Sequence, residues 1–361
     1  MSRKIYSVIS GTGSYLPQQD IDNEQFLEHS FYYRGKPLDR STGEVIERIE
    51  RVTEIKRRRY ILPELSTSDI AAFAAQAALE AAVINPEELD QIIVAHNFGD
   101  VAYNNRHSDM VPSLAARVKH RLSIKNPDAV AYDVIFGCPG WLQGLIQADY
   151  YIRSGDAQKV LVIGAEALSR VADPSDKNCL LFSDGAGAVV LEARESDVPF
   201  GILGHRSRTD TFAKGEMLWM DTSSKISHQE NQTIYLKMNG RNVYKYALTQ
   251  VPVLVKSLLT RLDVPLSAIK KILIHQANGK MVKNIVQRLL DAEGVDVPVA
   301  KLLPLTISWL GNNSVATVPI LLDLLSKGQM DNHQLSAGDL VLFCTVGAGM
   351  NINALLYRVP E

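Results

Sequence analysis

Apolar and polar positions along the chain fall into alternating blocks. Short apolar runs at Ile92-Ile-Val-Ala95, Ala129-Val-Ala-Tyr-Asp-Val-Ile135 and Val160-Leu-Val-Ile-Gly-Ala165 alternate with helical stretches at Thr67–Val83 and Gly140–Ser154. Runs of that length predict buried strands, and strands alternating with helices predict an α/β fold. Gly185-Ala-Gly-Ala-Val-Val-Leu-Glu192 predicts one more strand, after which the charged Glu195-Ser-Asp-Val-Pro199 breaks the pattern. The second half repeats the logic, with helices over Gly240–Arg261, Lys280–Leu290 and Ser314–Lys327. Its strands are Lys271–Ile274, Leu340–Cys344 and Ile352–Tyr357. The expectation is two matched halves, 1–196 and 197–361, because a chain of 361 residues exceeds what one core accommodates.

Candidate chemistry gathers where apolar runs give way to helices. Cys138 lies in Val134-Ile-Phe-Gly-Cys138-Pro139-Gly140-Trp141, at the predicted N-terminus of a helix. The free N–H groups and dipole of a helix start favour a thiolate, so this position predicts a lowered thiol pKa and a nucleophile. His275 and Asn278 follow another apolar run in His275-Gln-Ala-Asn278, and Asn312 and Asn313 lie in Gly311-Asn312-Asn313-Ser314. Together these residues read as a Cys-His-Asn site. Cys179 and Cys344 sit inside apolar runs and read as small buried residues.

The same residues carry a resemblance to the ketoacyl-ACP synthase III family of condensing enzymes. Ser10-Gly-Thr-Gly-Ser-Tyr-Leu-Pro17, Asp173-Pro174, Phe182-Ser-Asp184-Gly-Ala-Gly187 and Val346-Gly-Ala-Gly349 extend it over nearly the whole chain. The resemblance implies a thiolase-like, five-layered α/β fold of two pseudo-twofold related halves, and a cofactor-free homodimer acting on acyl thioesters. Cys138 would hold the acyl group, with the backbone N–H groups of Cys138 and Ala348 as oxyanion donors. His275 and Asn312, rather than Asn313, would stabilise the carbanion of the second thioester. Asn278 would bond the pantetheine arm, and Lys245 and Lys280 would meet an acidic acyl carrier protein.

Departures from the family pattern sharpen the picture. Pro139 replaces the small residue that usually follows the nucleophile. Val52 in Glu50-Arg51-Val52-Thr53-Glu54-Ile55 takes the place of an arginine that binds coenzyme A, with Glu54 in place of a glycine. Delivery by acyl carrier protein therefore gains weight over coenzyme A thioesters. Segments 28–39 and 96–120 look like elaborations. The aromatic 28–39 segment, the altered coenzyme A position and Phe136-Gly-Cys-Pro-Gly-Trp141 resemble a specialised branch of the family, which includes ketosynthases that join two acyl thioesters into cyclohexanedione precursors of dialkylresorcinols. An acyltransferase of the same fold, and a non-catalytic subunit that binds acyl carriers, are the rival expectations.

Composition narrows the partners further. A net charge of −2 gives no general affinity for nucleic acid, so recognition of a charged partner needs a local patch. Arg117-Val-Lys119-His120-Arg121 is one such candidate. No run approaches the roughly 18 apolar residues of a membrane span, and three cysteines form no disulfide framework or zinc spacing, so a cytoplasmic protein is expected.

Overall fold

The computed structural model describes residues 4–212, 214–229 and 232–360. Two sheets form its frame. β1 (Lys4–Tyr15), β2 (Gln91–Ala95), β3 (Val130–Val134), β4 (Lys159–Ala167) and β5 (Asp184–Ser196) make a five-stranded sheet in the order β1-β5-β4-β2-β3. β6 (Gly201–Thr209), β7 (Ile269–Ile274), β8 (Leu340–Gly347) and β9 (Asn351–Arg358) make a four-stranded sheet in the order β6-β9-β8-β7. Each sheet begins with two antiparallel pairings and continues with a parallel one, so the second repeats the first with one strand fewer.

The helices relevant to the site are α1 (Thr42–Thr53), α2 (Thr67–Ala82), α3 (Leu114–Arg121), α4 (Gly140–Ser154), α5 (Gly240–Leu262), α6 (Gly279–Glu293) and α7 (Thr317–Ser326). Alternation along the strands sorts them into layers. Ile92 and Val94 face α2, whereas Ile93 and Ala95 face the central layer with Leu142, Leu145 and Leu321. The same central layer takes Leu273, Val341 and Phe343 from the second sheet, while Ile272, Ile274 and Leu342 pack beneath α5 and α6. The result is helix, sheet, helix, sheet, helix, the five-layered thiolase arrangement.

The sequence pattern assigns no strand at β1, where Ser10-Gly11-Thr12-Gly13 interrupts the apolar run. Its glycines answer to α2 instead. A Cβ on Gly11 would lie 2.4 Å from the Ala78 carbonyl oxygen, and one on Gly13 would lie 2.4 Å from that of Ala74. The alanine face of α2 therefore packs directly on the strand backbone. Polar stitches fix β1 to the central helices: Ser7 Oγ donates to Asp149 at 2.7 Å, and Thr12 Oγ1 to Asp323 at 2.7 Å. With α4 and α7 held this way, the loops that open each helix are carried to one place.

Candidate active site

The nucleophile turn spans the gap between β3 and α4. Gly137 adopts φ +66°, and Pro139 is the N-cap, so Cys138 stands one residue outside the helix. A Cβ on Gly137 would lie 2.8 Å from both N and O of Ala348, and one on Gly347 would lie 2.6 Å from the Cys138 nitrogen. The Val346–Gly349 loop thus packs backbone against backbone on the nucleophile turn, where no side chain fits. Gly347→Ala is expected to force the two loops apart. A displacement near 1 Å should cut acyl loading by about 10²-fold, measured as the rate of adduct formation. Loading at the parental rate would show that this contact does not position the site.

Electrostatics revise one expectation. The Cys138 thiol is pushed up to about 11, first by burial, partly offset by a hydrogen bond from Ser314 and reinforced by the nearby Glu166 carboxylate. A lowered pKa was expected from the helix start, but Pro139 has no N–H to offer and Gly140 N–H is spent on the Gly137 carbonyl at 2.9 Å. Desolvation outweighs what the helix end supplies, and the resting sulfur is a thiol. His275 is also buried, which lowers its pKa to about 4 and keeps the imidazole neutral near pH 7. Its Nδ1 has no hydrogen-bond partner, while its backbone N–H is fixed on the Cys344 carbonyl at 2.9 Å. A neutral imidazole and a neutral thiol thus line the same cavity, and the unpaired ring nitrogen is available to accept a proton.

Asn312 and Asn313 divide cleanly. Asn312 Oδ1 accepts from Ser314 N–H at 3.0 Å, leaving its amide N–H groups to donate. Asn313 Oδ1 instead accepts from Thr317 Oγ1 at 2.8 Å, and its Nδ2 is buried against Gly185. Cys138, His275, Asn312, Ser314 and Ala348 line one cavity of about 350 Å³. Apolar walls extend it, in large part from a hairpin of strands Leu218–Thr222 and Ile234–Met238. Leu218 pairs with Met238 and Met220 with Leu236, and all four line the cavity.

Other expected residues have different places. Asn278 is the N-cap of α6, its side chain accepting from Met281 N–H at 2.9 Å, so its oxygen has a structural task. Lys245 and Lys280 are exposed on α5 and at the start of α6. The α3 basic cluster is largely consumed internally: Arg117 pairs with Asp100 and Asp109, Arg121 with Asp69, and Lys119 bonds two backbone carbonyls. Val52 is exposed, whereas Glu54 lies against Gly279 and pairs with Lys283 at 2.7 Å. Asp173 is buried against Lys237, and Asp184 accepts from Ser169 and the Ile61 N–H; both hold loops together. Cys179 and Cys344 are buried, as expected.

Three participants escaped the sequence reading: the hairpin walls, Asn97 and Glu166. The hairpin carries a period-2 signal in Leu218-Trp-Met220 and Leu236-Lys-Met238, but each strand has only five residues. Asn97 and Glu166 are brought near Cys138 by strand pairing alone, which no local pattern announces.

A thiol, an imidazole and an amide delivered from two matched halves into one apolar cavity define a thiolase-fold condensing enzyme. Residues 132–211 match the 3-oxoacyl-[acyl-carrier-protein] synthase III family, and residues 259–359 match its C-terminal domain. The β-ketoacyl-[acyl-carrier-protein] synthase III of Synechococcus sp. (strain WH7803) is 36% identical over 358 residues, covering 96% of this chain and 94% of that protein. The crystal structure of 3-oxoacyl-[acyl-carrier-protein] synthase III from Aquifex aeolicus superposes with a TM-score of 0.78 at 31% identity, over 98% of this chain and 99% of that one. The priming β-ketosynthase of the R1128 polyketide pathway gives 0.80 at 25% identity, over 100% and 98%. The chain belongs to the 3-oxoacyl-[acyl-carrier-protein] synthase III family.

Proposed function

We propose that Cys138 accepts an acyl group from a thioester and that His275 and Asn312 stabilise the carbanion of a second thioester, which attacks that acyl group. The observation that carries this reading is the single cavity lined by all three side chains and by Ala348. In loading, the sulfur attacks the thioester carbonyl carbon as His275 takes the thiol proton; the carrier's C–S bond then breaks and its thiolate receives that proton. In condensation, the second thioester becomes a carbanion by losing CO2 (malonyl) or by giving its C2 proton to His275 (β-ketoacyl). The carbanion forms the new carbon–carbon bond as the acyl–Sγ bond breaks, and the Cys138 thiolate takes up a proton, from solvent in the first case and from His275 in the second. Incubating the acyl-enzyme with malonyl and with β-ketoacyl thioesters tests the reading: a carbon–carbon coupled product supports it, and an ester or amide contradicts it. We favour the specialised branch, in which the β-ketoacyl thioester gives the faster reaction, because the apolar hairpin walls offer room for a substantial alkyl chain.

Further parts of the reading concern assembly and delivery. The halves 1–196 and 197–361 supply the nucleophile and the carbanion-stabilising pair, respectively. β3 is an edge strand with Val130 half exposed, and Ile135 just beyond it lines the cavity while 57% exposed, which supports a homodimer that extends the sheet. All three cysteines are free, in keeping with a reducing, cytoplasmic setting. Among the described residues no helix is long and apolar enough to cross a membrane.

Acyl carrier protein is the proposed delivery partner. Val52 offers no charge to a coenzyme A phosphate and Glu54 engages the neighbouring Lys283, whereas Lys245 and Lys280 are exposed and form no ion pair among the described residues. Carrier thioesters should therefore outcompete the matching coenzyme A thioesters, with an advantage that shrinks as salt screens the contacts beyond about 8–10 Å. Lys280→Glu should raise the KM for carrier thioesters and leave a short pantetheine thioester nearly unaffected. Equal rates with both carriers at low salt would overturn this part of the reading.

A further inference from the structure

A string of side chains runs beneath the nucleophile. Asn97 Nδ2 donates to Glu166 Oε2 at 2.6 Å and approaches Ser314 Oγ at 3.2 Å; Ser314 Oγ in turn lies 3.5 Å from Cys138 Sγ. The two N–H bonds of one amide account for both Asn97 contacts. Because Ser314 Oγ accepts from Asn97, its own hydrogen is left for the sulfur. Glu166 is wholly buried, and the Asn97 backbone N–H also points to it, at 3.4 Å.

The backbone of Ser314 adds a second, independent observation. Its φ is +50°, the left-handed region that a residue with a Cβ adopts at a cost. Glycine would occupy that conformation more readily, so the presence of a hydroxyl there calls for a reason. The Asn312 side chain holds the strained turn by accepting the Ser314 N–H at 3.0 Å.

We propose that Ser314 is a further catalytic residue, whose hydroxyl donates to Sγ whenever the sulfur carries charge, and that Glu166, acting through Asn97, is a positioning residue that keeps this hydroxyl aimed. The inference rests on Cys138 being the nucleophile. Charge develops on Sγ twice: when the thiol loses its proton in loading, and when the acyl–sulfur bond breaks and its electron pair returns to sulfur in condensation. One donor serves both moments. The charge of Glu166 works the other way, since a nearby anion disfavours a thiolate. Burial holds the Glu166 carboxyl at about 7, against the pull of His96 and the Asn97 bonds and with a push from Asp184. The neighbouring His96 is itself tied to Asp133 at 2.9 Å.

These opposing effects can be separated by measuring the rate at which iodoacetamide alkylates Cys138 between pH 6 and 9, by peptide mapping of the full chain. Ser314→Gly keeps the left-handed turn and removes the hydroxyl. It is expected to fold at least as stably and to alkylate about tenfold more slowly, the effect of losing one hydrogen bond to a charged group. Asn97→Ala should likewise slow alkylation, by releasing the Ser314 hydroxyl from its aim. Glu166→Gln keeps an acceptor for Asn97 while removing the charge, and should alkylate faster than the parent. Glu166→Ala also removes the charge but frees Asn97, so it should be slower than Glu166→Gln. Because alkylation needs no acyl substrate, failure here is distinguishable from failure of the condensing activity. A Ser314→Gly protein with parental rates would overturn the role of Ser314, and identical profiles for Glu166→Gln and Glu166→Ala would overturn that of Glu166.

Discussion

Cys138→Ala is expected to abolish acyl loading and product formation together, a loss on the order of 10⁶-fold, the scale seen when a covalent nucleophile is removed. The other two thiols cannot substitute. Cys179 and Cys344 are buried, and burial pushes both of their pKa values well above the ordinary thiol range. Cys138 borders the cavity and is the one of the three that receives a hydrogen bond from a serine hydroxyl. Intact-protein mass after incubation with an acyl thioester checks the prediction, and an adduct on the alanine variant would refute the assignment.

His275→Ala and Asn312→Ala carry the second large effect. Each removes a donor from the place where the second thioester's oxygen gains charge, so condensation should fall by about 10²-fold or more. Loading should fall less for Asn312→Ala than for His275→Ala, because of these two side chains the imidazole is the one that can accept a proton. The pH dependence has a defined sign. His275 has its pKa lowered to about 4, so it stays neutral through the range where an ordinary histidine would charge near 6.5. Condensation should therefore show no loss from histidine protonation between pH 7.5 and 5.5. Single-turnover kinetics of the preloaded enzyme isolates the step. A sharp decline centred near 6.5 would mean that the imidazole is not held in its desolvated place.

Much of the frame was legible because it rests on local pattern. Ile92–Ala95 and Val160–Ala165 are unbroken apolar runs, and both are central strands buried on two faces. Gly140–Ser154 was bounded correctly because glycine and tryptophan open it and Gly155 closes it in the left-handed conformation. The parts that were not legible depend on tertiary approach. The glycines at 11 and 13 interrupt the apolar run of β1, and the need for them is evident only once α2 is laid on the strand. Helix α1 also carries a local signal in its sequence, the Ser41 and Glu44 capping box.

The site shows the same division. Cys138, His275 and Asn312, which the structure brings to one cavity, stand out in the sequence because each lies at the end of an apolar run within a distinctive motif. The protonation of Cys138 could not. A helix start is a local feature and favours a thiolate, but it is overridden by burial, to which the close-packed Val346–Gly349 loop belongs, and by the charge of Glu166, both remote in sequence. Asn278 matched a family position, yet the structure also spends its oxygen on capping α6. The α3 basic residues formed a patch in sequence only; in the fold Arg117 and Arg121 meet acidic partners and Lys119 meets backbone carbonyls.

The central claim is that one cavity performs both half-reactions through an acyl group on Cys138. The most direct measurement is a two-step mass experiment. The enzyme is first loaded from an acyl thioester and its adduct located by peptide mapping; a malonyl or β-ketoacyl thioester is then added, and the adduct and the small-molecule product are followed together. The account predicts an acyl group on Cys138 that disappears at the rate at which a carbon–carbon coupled product forms. An adduct on Cys179 or Cys344, or product formed while the Cys138 adduct persists, would contradict it.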